Sequence, residues 1–141
     1  MIKDVIIDMK SSQGIDGETN SIELSTVGKF GFKDGSYFIS YDESKLLEMD
    51  DVKTVLYIHA DNTVVLQRTG SLQSRLVIQK GVRNNCFYNT PHGELIIGIF
   101  GEEIKHNLSF SGGNVSMNYT IDSNLELISR NVINFSVKEV N

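Results

Sequence analysis

The chain has 141 residues, of which 40% are hydrophobic, and this is enough for one domain with a hydrophobic core. Such a composition excludes a disordered chain, and no apolar run approaches the roughly 20 residues of a membrane helix. The formal net charge of −5 argues against nucleic acid, whose binding requires a basic surface.

The ends and the cysteine content indicate the compartment. Residues 1–10 alternate between apolar and polar side chains and carry acids, unlike a signal peptide. The single cysteine, Cys86, excludes an internal disulfide. We therefore expect a cytoplasmic protein that has neither nucleic acid nor membrane as a partner.

The first third of the chain predicts three strands. Residues 4–11 and 20–32 alternate between apolar and polar side chains, which is typical of half-buried strands. Asp34-Gly35 indicates a hairpin turn, because both residues tolerate the positive φ angles of a type I′ turn. Residues 44–51 are the one candidate helix, and this segment is short.

The stretch from Thr54 to Leu95 predicts a run of short strands. In residues 63–69, Val64, Leu66 and Arg68 share the more apolar face, which we expect to point into the core. A charge without a partner is costly to bury. Arg68 therefore either extends to water at the strand end or finds a partner inside.

Four later segments complete the pattern, and one of them has Val115, Met117, Tyr119 and Ile121 on its inner face. In residues 82–90, Asn84, Cys86, Tyr88 and Thr90 share a face, but parity is ambiguous because Phe87 lies opposite. Residues 95–100 are apolar on both faces, which favours a central or doubly covered strand. The last strand spans 125–140. Its expected inner face consists of Leu125, Leu127, Ser129, Asn131, Ile133, Phe135 and Val137.

About ten strand candidates, almost no helix and a turn every 8–12 residues are typical of an all-β sandwich or barrel. The connections are too short for crossover helices, so the sheet is expected to be antiparallel. The long first, second and last strands favour a closed up-and-down barrel spanning residues 1–141 as a single domain.

Several short motifs carry a resemblance over nearly all of the chain. They are Tyr41-Asp42-Glu43, Thr54, residues 64–70, residues 88–93, Tyr119 and Ser129-Arg130-Asn131. In these motifs the chain resembles the YwiB-like family of small cytoplasmic bacterial proteins. The resemblance implies a calycin-like antiparallel barrel, of the general shape of lipocalins. It implies no catalytic residues, because the family has no established biochemical function.

Strand parity places a group of polar side chains inside this barrel. They are Tyr41, Glu43, Thr54, Arg68, Tyr88, Thr90, Tyr119 and Asn131. A buried polar network must be nearly fully hydrogen-bonded, so it can serve as an internal brace that fixes strand register. It can also form a pocket for a small polar-headed ligand, in which Arg68 binds an anion. We predict that Arg68 pairs with Glu43.

Other chemistries are less favoured. His59, His92 and His106 are scattered and lack the spacing of metal ligands, and we expect no metal and no cofactor. Cys86 is expected to be a small buried hydrophobe. An enzyme is the least favoured class, because the sequence reveals no pairing of a nucleophile with a base.

Two functions follow as hypotheses. The first is a non-catalytic protein that binds a small amphipathic or anionic ligand in the barrel. An enclosed cavity beside Arg68 distinguishes it. The second is a structural or interaction module with a packed barrel, acting through its outer surface and able to form a homodimer. Ile96 and Phe100 are the candidates for that surface.

Overall fold

The computed structural model describes residues 2–43, 51–90 and 93–140. These residues contain ten strands and no helix long and apolar enough to cross a membrane. The strands are β1 (Ile2–Ile15), β2 (Glu18–Lys33), β3 (Ser36–Asp42), β4 (Val52–Ile58), β5 (Val64–Gly70), β6 (Gln73–Ile78), β7 (Arg83–Thr90), β8 (Gly93–His106), β9 (Gly112–Ser123) and β10 (Glu126–Glu139). Of the candidate helix, residues 44–50 lie outside the described residues.

The ten strands form one closed barrel. Each strand pairs with its neighbours in the chain, and β1 closes the barrel on β10, from Val5 opposite Glu139 to Gly14 opposite Arg130. All pairings between neighbouring strands are antiparallel. The predicted antiparallel up-and-down barrel is thereby confirmed. Closure gives every strand a pairing partner on both sides, which limits the edges that could recruit another chain.

Two hairpins have the turn chemistry that their sequences predict. β1 and β2 are joined at Asp16-Gly17, with φ angles of 50° and 81°. β2 and β3 are joined at Asp34-Gly35, with φ angles of 54° and 80°. Positive φ at both central residues gives a twist that matches that of the flanking strands. These turns therefore set the registers of β1–β2 and β2–β3.

The interior has two chemically different ends. The apolar end consists of fully buried side chains near the β2–β3, β4–β5 and β6–β7 connections. It contains Val5, Phe30, Ile58, Val64, Ile78, Val115 and Val137, each at most 2% exposed. The polar end lies near the β3–β4, β5–β6 and β7–β8 connections, because successive strands run in opposite directions. It contains Tyr41, Glu43, Thr54, Arg68, Ser74, Tyr88, Tyr119, Ser129 and Asn131.

The junction between β6 and β7 has the shortest backbone pairing, at Gln73 opposite Asn89 and Ser74 opposite Tyr88. Between these two positions and the Gln79–Val82 bridge beside the turn, side chains hydrogen-bond the backbone in place of ladder pairs. The N–H of Val77 donates to Cys86 Sγ at 3.4 Å, and Asn84 Nδ2 donates to the Val77 carbonyl at 3.5 Å. Cys86 is 3% exposed, which confirms the prediction of a buried side chain and settles the parity of β7.

Residues 95–100 do not form a doubly covered strand. Leu95 and Ile96 are 55% and 59% exposed, while Ile99 is completely buried. A single-layer barrel gives each strand one covered face, so Ile96 on the outer face meets solvent. Leu95 lies opposite Tyr88, so it belongs to the inner face, but it is exposed because it stands at the start of β8. The prediction of two covered faces was wrong.

The start of the last strand also differs from its prediction. Leu125 and Leu127, expected inside, are 77% and 52% exposed. The register of β10 against β9 shifts between Leu127 and Ser129. Because side chains alternate along a strand, one inserted residue exchanges the two faces. The inner face therefore begins at Ser129 and continues through Asn131 as predicted.

Candidate functional site

The polar end is built on a row of side chains that crosses five strands. Tyr41 lies opposite Thr54, Thr54 opposite Arg68, Arg68 opposite Ser74, and Ser74 opposite Tyr88. All five occupy the inner face of their strands. Directly opposite residues are the closest neighbours in an antiparallel sheet. Four of the predicted site residues are therefore held in a continuous band by strand register.

Glu43 joins this band from the end of β3. Its backbone N–H donates to the Val52 carbonyl at 3.0 Å, which fixes it directly after the strand. Its carboxylate is 2% exposed and accepts from Arg68 Nε at 3.1 Å through Oε2. Its other oxygen, Oε1, accepts from the Tyr41 hydroxyl. The predicted pairing of Arg68 with Glu43 is confirmed.

Burial shapes the protonation of this cluster. Burial, and then the nearby Glu43 charge, raise the pKa of Tyr41 well above its ordinary value. Burial alone would lower the pKa of Arg68, but the charge and hydrogen bond of Glu43 outweigh it and the net change is upward. At neutral pH the cluster thus holds a charged arginine, and Tyr41 stays a hydrogen-bond donor.

Several donors in the band lack protein partners. Arg68 uses Nε for Glu43, and its Nη1 and Nη2 groups make no hydrogen bond to any described residue. The hydroxyls of Thr54 and Ser74, on either side of Arg68, are buried and have no hydrogen-bond partner in the described chain. A buried polar group without a partner costs about 1–3 kcal/mol. The two buried hydroxyls therefore mark a place where a further acceptor would stabilise the protein.

A cavity of about 120 Å³ lies beside the cluster. Tyr41, Glu43 and Arg68 form its polar wall. The remaining lining is mainly apolar and consists of Met9, Ile22, Leu66, Ile133 and Phe135, with Ser11. The volume is below the 300–1,000 Å³ of typical pockets for drug-sized ligands, so the space suits a few heavy atoms.

Tyr119 and Asn131 lie opposite each other on β9 and β10, farther round the barrel. Burial raises the pKa of Tyr119 to about 12, and the charges of Arg68 and Glu43 also act on it. Asn131 Nδ2 donates to Ser129 Oγ at 3.1 Å, and none of its hydrogen bonds within the described ranges reaches Arg68 or Glu43. Tyr88 is half-buried. Thr90 ends β7, and its side chain is outside what the structure describes.

The sequence from residue 7 to residue 135 matches the family model described as "Domain of unknown function (DUF1934)". The chain belongs to this family. The crystal structure of ywiB protein from Bacillus subtilis is similar, with a TM-score of 0.86 and 20% identity over 99% of this chain and 94% of that chain. The predicted YwiB-like membership is confirmed, and the likeness in structure shows the fold. No curated protein matches the chain significantly.

Two features of this DUF1934 barrel were missed by sequence reasoning. Ser74 completes the polar band, and its signal was a serine between Leu72 and Leu76 on an otherwise apolar face. On the outer surface, Ser36 Oγ lies 2.6 Å from His59 Nδ1, beside a groove of about 550 Å³. This is a nucleophile–base pairing, but no described residue hydrogen-bonds the other ring nitrogen of His59 to orient the imidazole.

The described residues lack the side-chain arrangements that bind metal ions. No group of three or more His, Cys, Asp or Glu side chains within 2–43, 51–90 and 93–140 is arranged to hold an ion. Glu43, the carboxylate of the polar end, already has both oxygens engaged. Arg68 Nη1 and Nη2 are the donors of this site that the described residues leave available to an acceptor.

Proposed function

We propose that this protein is a non-catalytic, cytoplasmic binding protein that holds a small amphipathic or anionic ligand in the polar end of its barrel. The observation that carries the proposal is the guanidinium of Arg68. It is largely buried, with 18% of its side chain exposed, yet Nη1 and Nη2 have no partner among the described residues. A ligand oxygen would supply the missing acceptor, since arginine binds carboxylates through pairs of N–H groups.

The cavity sets the shape of the ligand. Its apolar lining from Met9, Leu66 and Phe135 favours a hydrocarbon part, and its polar wall favours a head that accepts hydrogen bonds. A space of about 120 Å³ excludes a long fatty acyl chain inside the described cavity. We therefore propose a small molecule with a single acceptor head and a short apolar body.

The test is to identify what the protein carries when it is purified without unfolding. We expect solvent extraction and mass spectrometry to recover a small molecule from the wild type, with matching crystallographic density at Arg68 Nη1 and Nη2. Arg68→Met and the cavity-filling Leu66→Phe should lose it. Arg130→Met is the matched control, because Arg130 is an exposed arginine on β10 that does not line the cavity. Water alone at Arg68 in the wild type would contradict the proposal.

A second candidate function rests on the outer surface. Phe87 and Ile96 lie opposite each other on β7 and β8, and both are 59% exposed. Phe100, on the same outer face of β8, is 37% exposed. Adjacent exposed apolar side chains favour a protein contact, here a homodimer. Light scattering should then give a dimer for the wild type and a monomer for Phe87→Ser with Ile96→Ser; a monomeric wild type would exclude it.

A further inference from the structure

The Glu43–Arg68 pair restricts the charge of any ligand that binds beside it. Arg68 carries one positive charge, and Glu43, 2% exposed and 3.1 Å from it, carries one negative charge. The pair is therefore electrically neutral. Both carboxylate oxygens are occupied, by Tyr41 and by Arg68 Nε. Arg68 Nη1 and Nη2 remain available to a ligand. A ligand carboxylate there would place two anions, its own and that of Glu43, beside the single cation of Arg68.

Within the described part of the chain, the lining of the cavity contains no second cation that could balance the added anion. Among the described residues that line the cavity, Glu43 and Arg68 are the charged ones. Among the residues that the structure describes, the groups that act electrostatically on Glu43 are Tyr41 on β3, Arg68 on β5 and Tyr119 on β9. Tyr88 on β7 adds a further phenol near Arg68. A phenol can donate a hydrogen bond but cannot carry a positive charge.

Two carboxylates that share one buried site cannot both ionise without a large cost. One of them therefore takes up a proton, as in carboxyl pairs that hold one proton between them. Arg68 keeps its charge, and Tyr41 keeps its proton because burial and the Glu43 charge hold its pKa high. The proton then lies on Glu43 or on the ligand, and the complex is neutral overall.

We infer, on the basis of the proposed function, that the site binds a short aliphatic monocarboxylate together with one proton. The apolar cavity receives the hydrocarbon part and Arg68 Nη1 and Nη2 receive the carboxyl group. The free carboxylate is ionised at neutral pH, so the proton that the complex takes up comes from the solvent. The affinity consequently depends on pH, with tenfold weaker binding for each unit by which the pH rises.

Isothermal titration calorimetry with butanoate tests this inference. We expect uptake of about one proton per bound butanoate, measured from the difference between buffers of unlike ionisation enthalpy. The dissociation constant should rise about tenfold per pH unit between about pH 6 and pH 8. Glu43→Gln removes the competing anion, so it should bind butanoate without proton uptake and with an affinity independent of pH. Glu126→Gln, at an exposed carboxylate that does not line the cavity, is the matched control and should behave like the wild type.

The outcomes separate this inference from the function on which it rests. Binding of butanoate to the wild type without proton uptake overturns the proton coupling and leaves a carboxylate site in place. Absence of binding to the wild type and to Glu43→Gln at every pH overturns both. The wild-type calorimetry decides by itself if Glu43→Gln does not fold, because proton uptake is measured without any variant.

Discussion

The two ends of the barrel interior differ in what their side chains require. At the apolar end, Phe30, Ile58 and Val64 are completely or almost completely buried and have no polar atoms to satisfy. At the polar end, Arg68, Thr54 and Ser74 carry donors that the described protein groups leave without partners. The same strands build both ends. The difference teaches that packing alone accounts for the first end, whereas the second carries buried hydroxyls that the described protein groups leave without hydrogen bonds.

The contrast also concerns how each end tolerates change. Loss of an apolar side chain leaves a void whose cost depends on how well the neighbours collapse. Loss of one member of a charge pair leaves the other charge buried without compensation. Mutations at the two ends should therefore cause similar losses in the free energy of unfolding. They should differ in whether those losses are coupled between neighbouring residues.

The largest effect is expected at the apolar end. Phe30→Ala should reduce the free energy of unfolding by about 3–5 kcal/mol, because Phe30 is completely buried and stacks on Tyr37. Denaturant titration measures the loss. Val27→Ala, which shortens an exposed side chain outside the candidate dimer surface, is the control and should change stability by no more than about 0.5 kcal/mol. Similar losses in the two variants would mean that Phe30 is not a core residue.

At the polar end, Arg68→Met should cost about 3 kcal/mol, because Glu43 would keep an uncompensated charge at 2% exposure. Adding Glu43→Gln should then recover part of the loss, since both charges are gone. Urea titration of the wild type, both single variants and the double variant gives the coupling energy. Strictly additive losses would show that the two residues do not stabilise each other.

Alkaline pH should weaken the polar end through Tyr119. Its pKa is about 12 in the folded protein, because of burial, and about 10 in the unfolded chain. The unfolded chain therefore releases this proton first, and stability falls as pH rises from about 10 to about 12, by about 3 kcal/mol. Tyr119→Phe should remove this part of the alkaline loss in urea titrations. Ionisation of Tyr119 near pH 10 in the folded protein, seen in its ultraviolet absorbance, would contradict the burial effect.

The smallest effect is a gain. Thr54 is completely buried and its hydroxyl has no hydrogen-bond partner in the described residues. Thr54→Val should therefore raise the free energy of unfolding by about 1 kcal/mol, since it removes an unsatisfied group without changing the shape of the side chain. Thr120→Val, at a half-buried position of β9, is the control and should be nearly neutral. A loss of stability in Thr54→Val would show that a bound molecule satisfies the hydroxyl.

Strand parity predicted much of the polar end. Tyr41, Thr54 and Arg68 were placed inside because each is spaced by two from apolar residues of the same strand. The folded strands keep this alternation. The Arg68–Glu43 pair was predictable because Glu43 was the acid on an inner face nearest in the run. Ser74 was overlooked because a serine among leucines gives no signal until its neighbours across the strands are known.

Where local parity changes, the prediction failed. The register shift between Leu127 and Ser129 exchanges the faces of β10. The alternation of residues 125–130 does not predict this shift. Leu95 is exposed because it lies at the end of the barrel, at the start of β8, although it belongs to the inner face of the sheet. The contact of Ser36 with His59 depends on two strand ends meeting on the outer surface. Each of these is a property of the assembled sheet.

By itself, the sequence determined the all-β class, most strand positions, the hairpin turns and the inward direction of the polar side chains. These follow from a period of two and from residues that favour positive φ, which are local properties. The tertiary structure alone decided the closure of β1 on β10, the cavity beside Arg68 and which donors remain without partners. Those depend on strand register and on the distances between side chains far apart in the chain, and no local pattern encodes either.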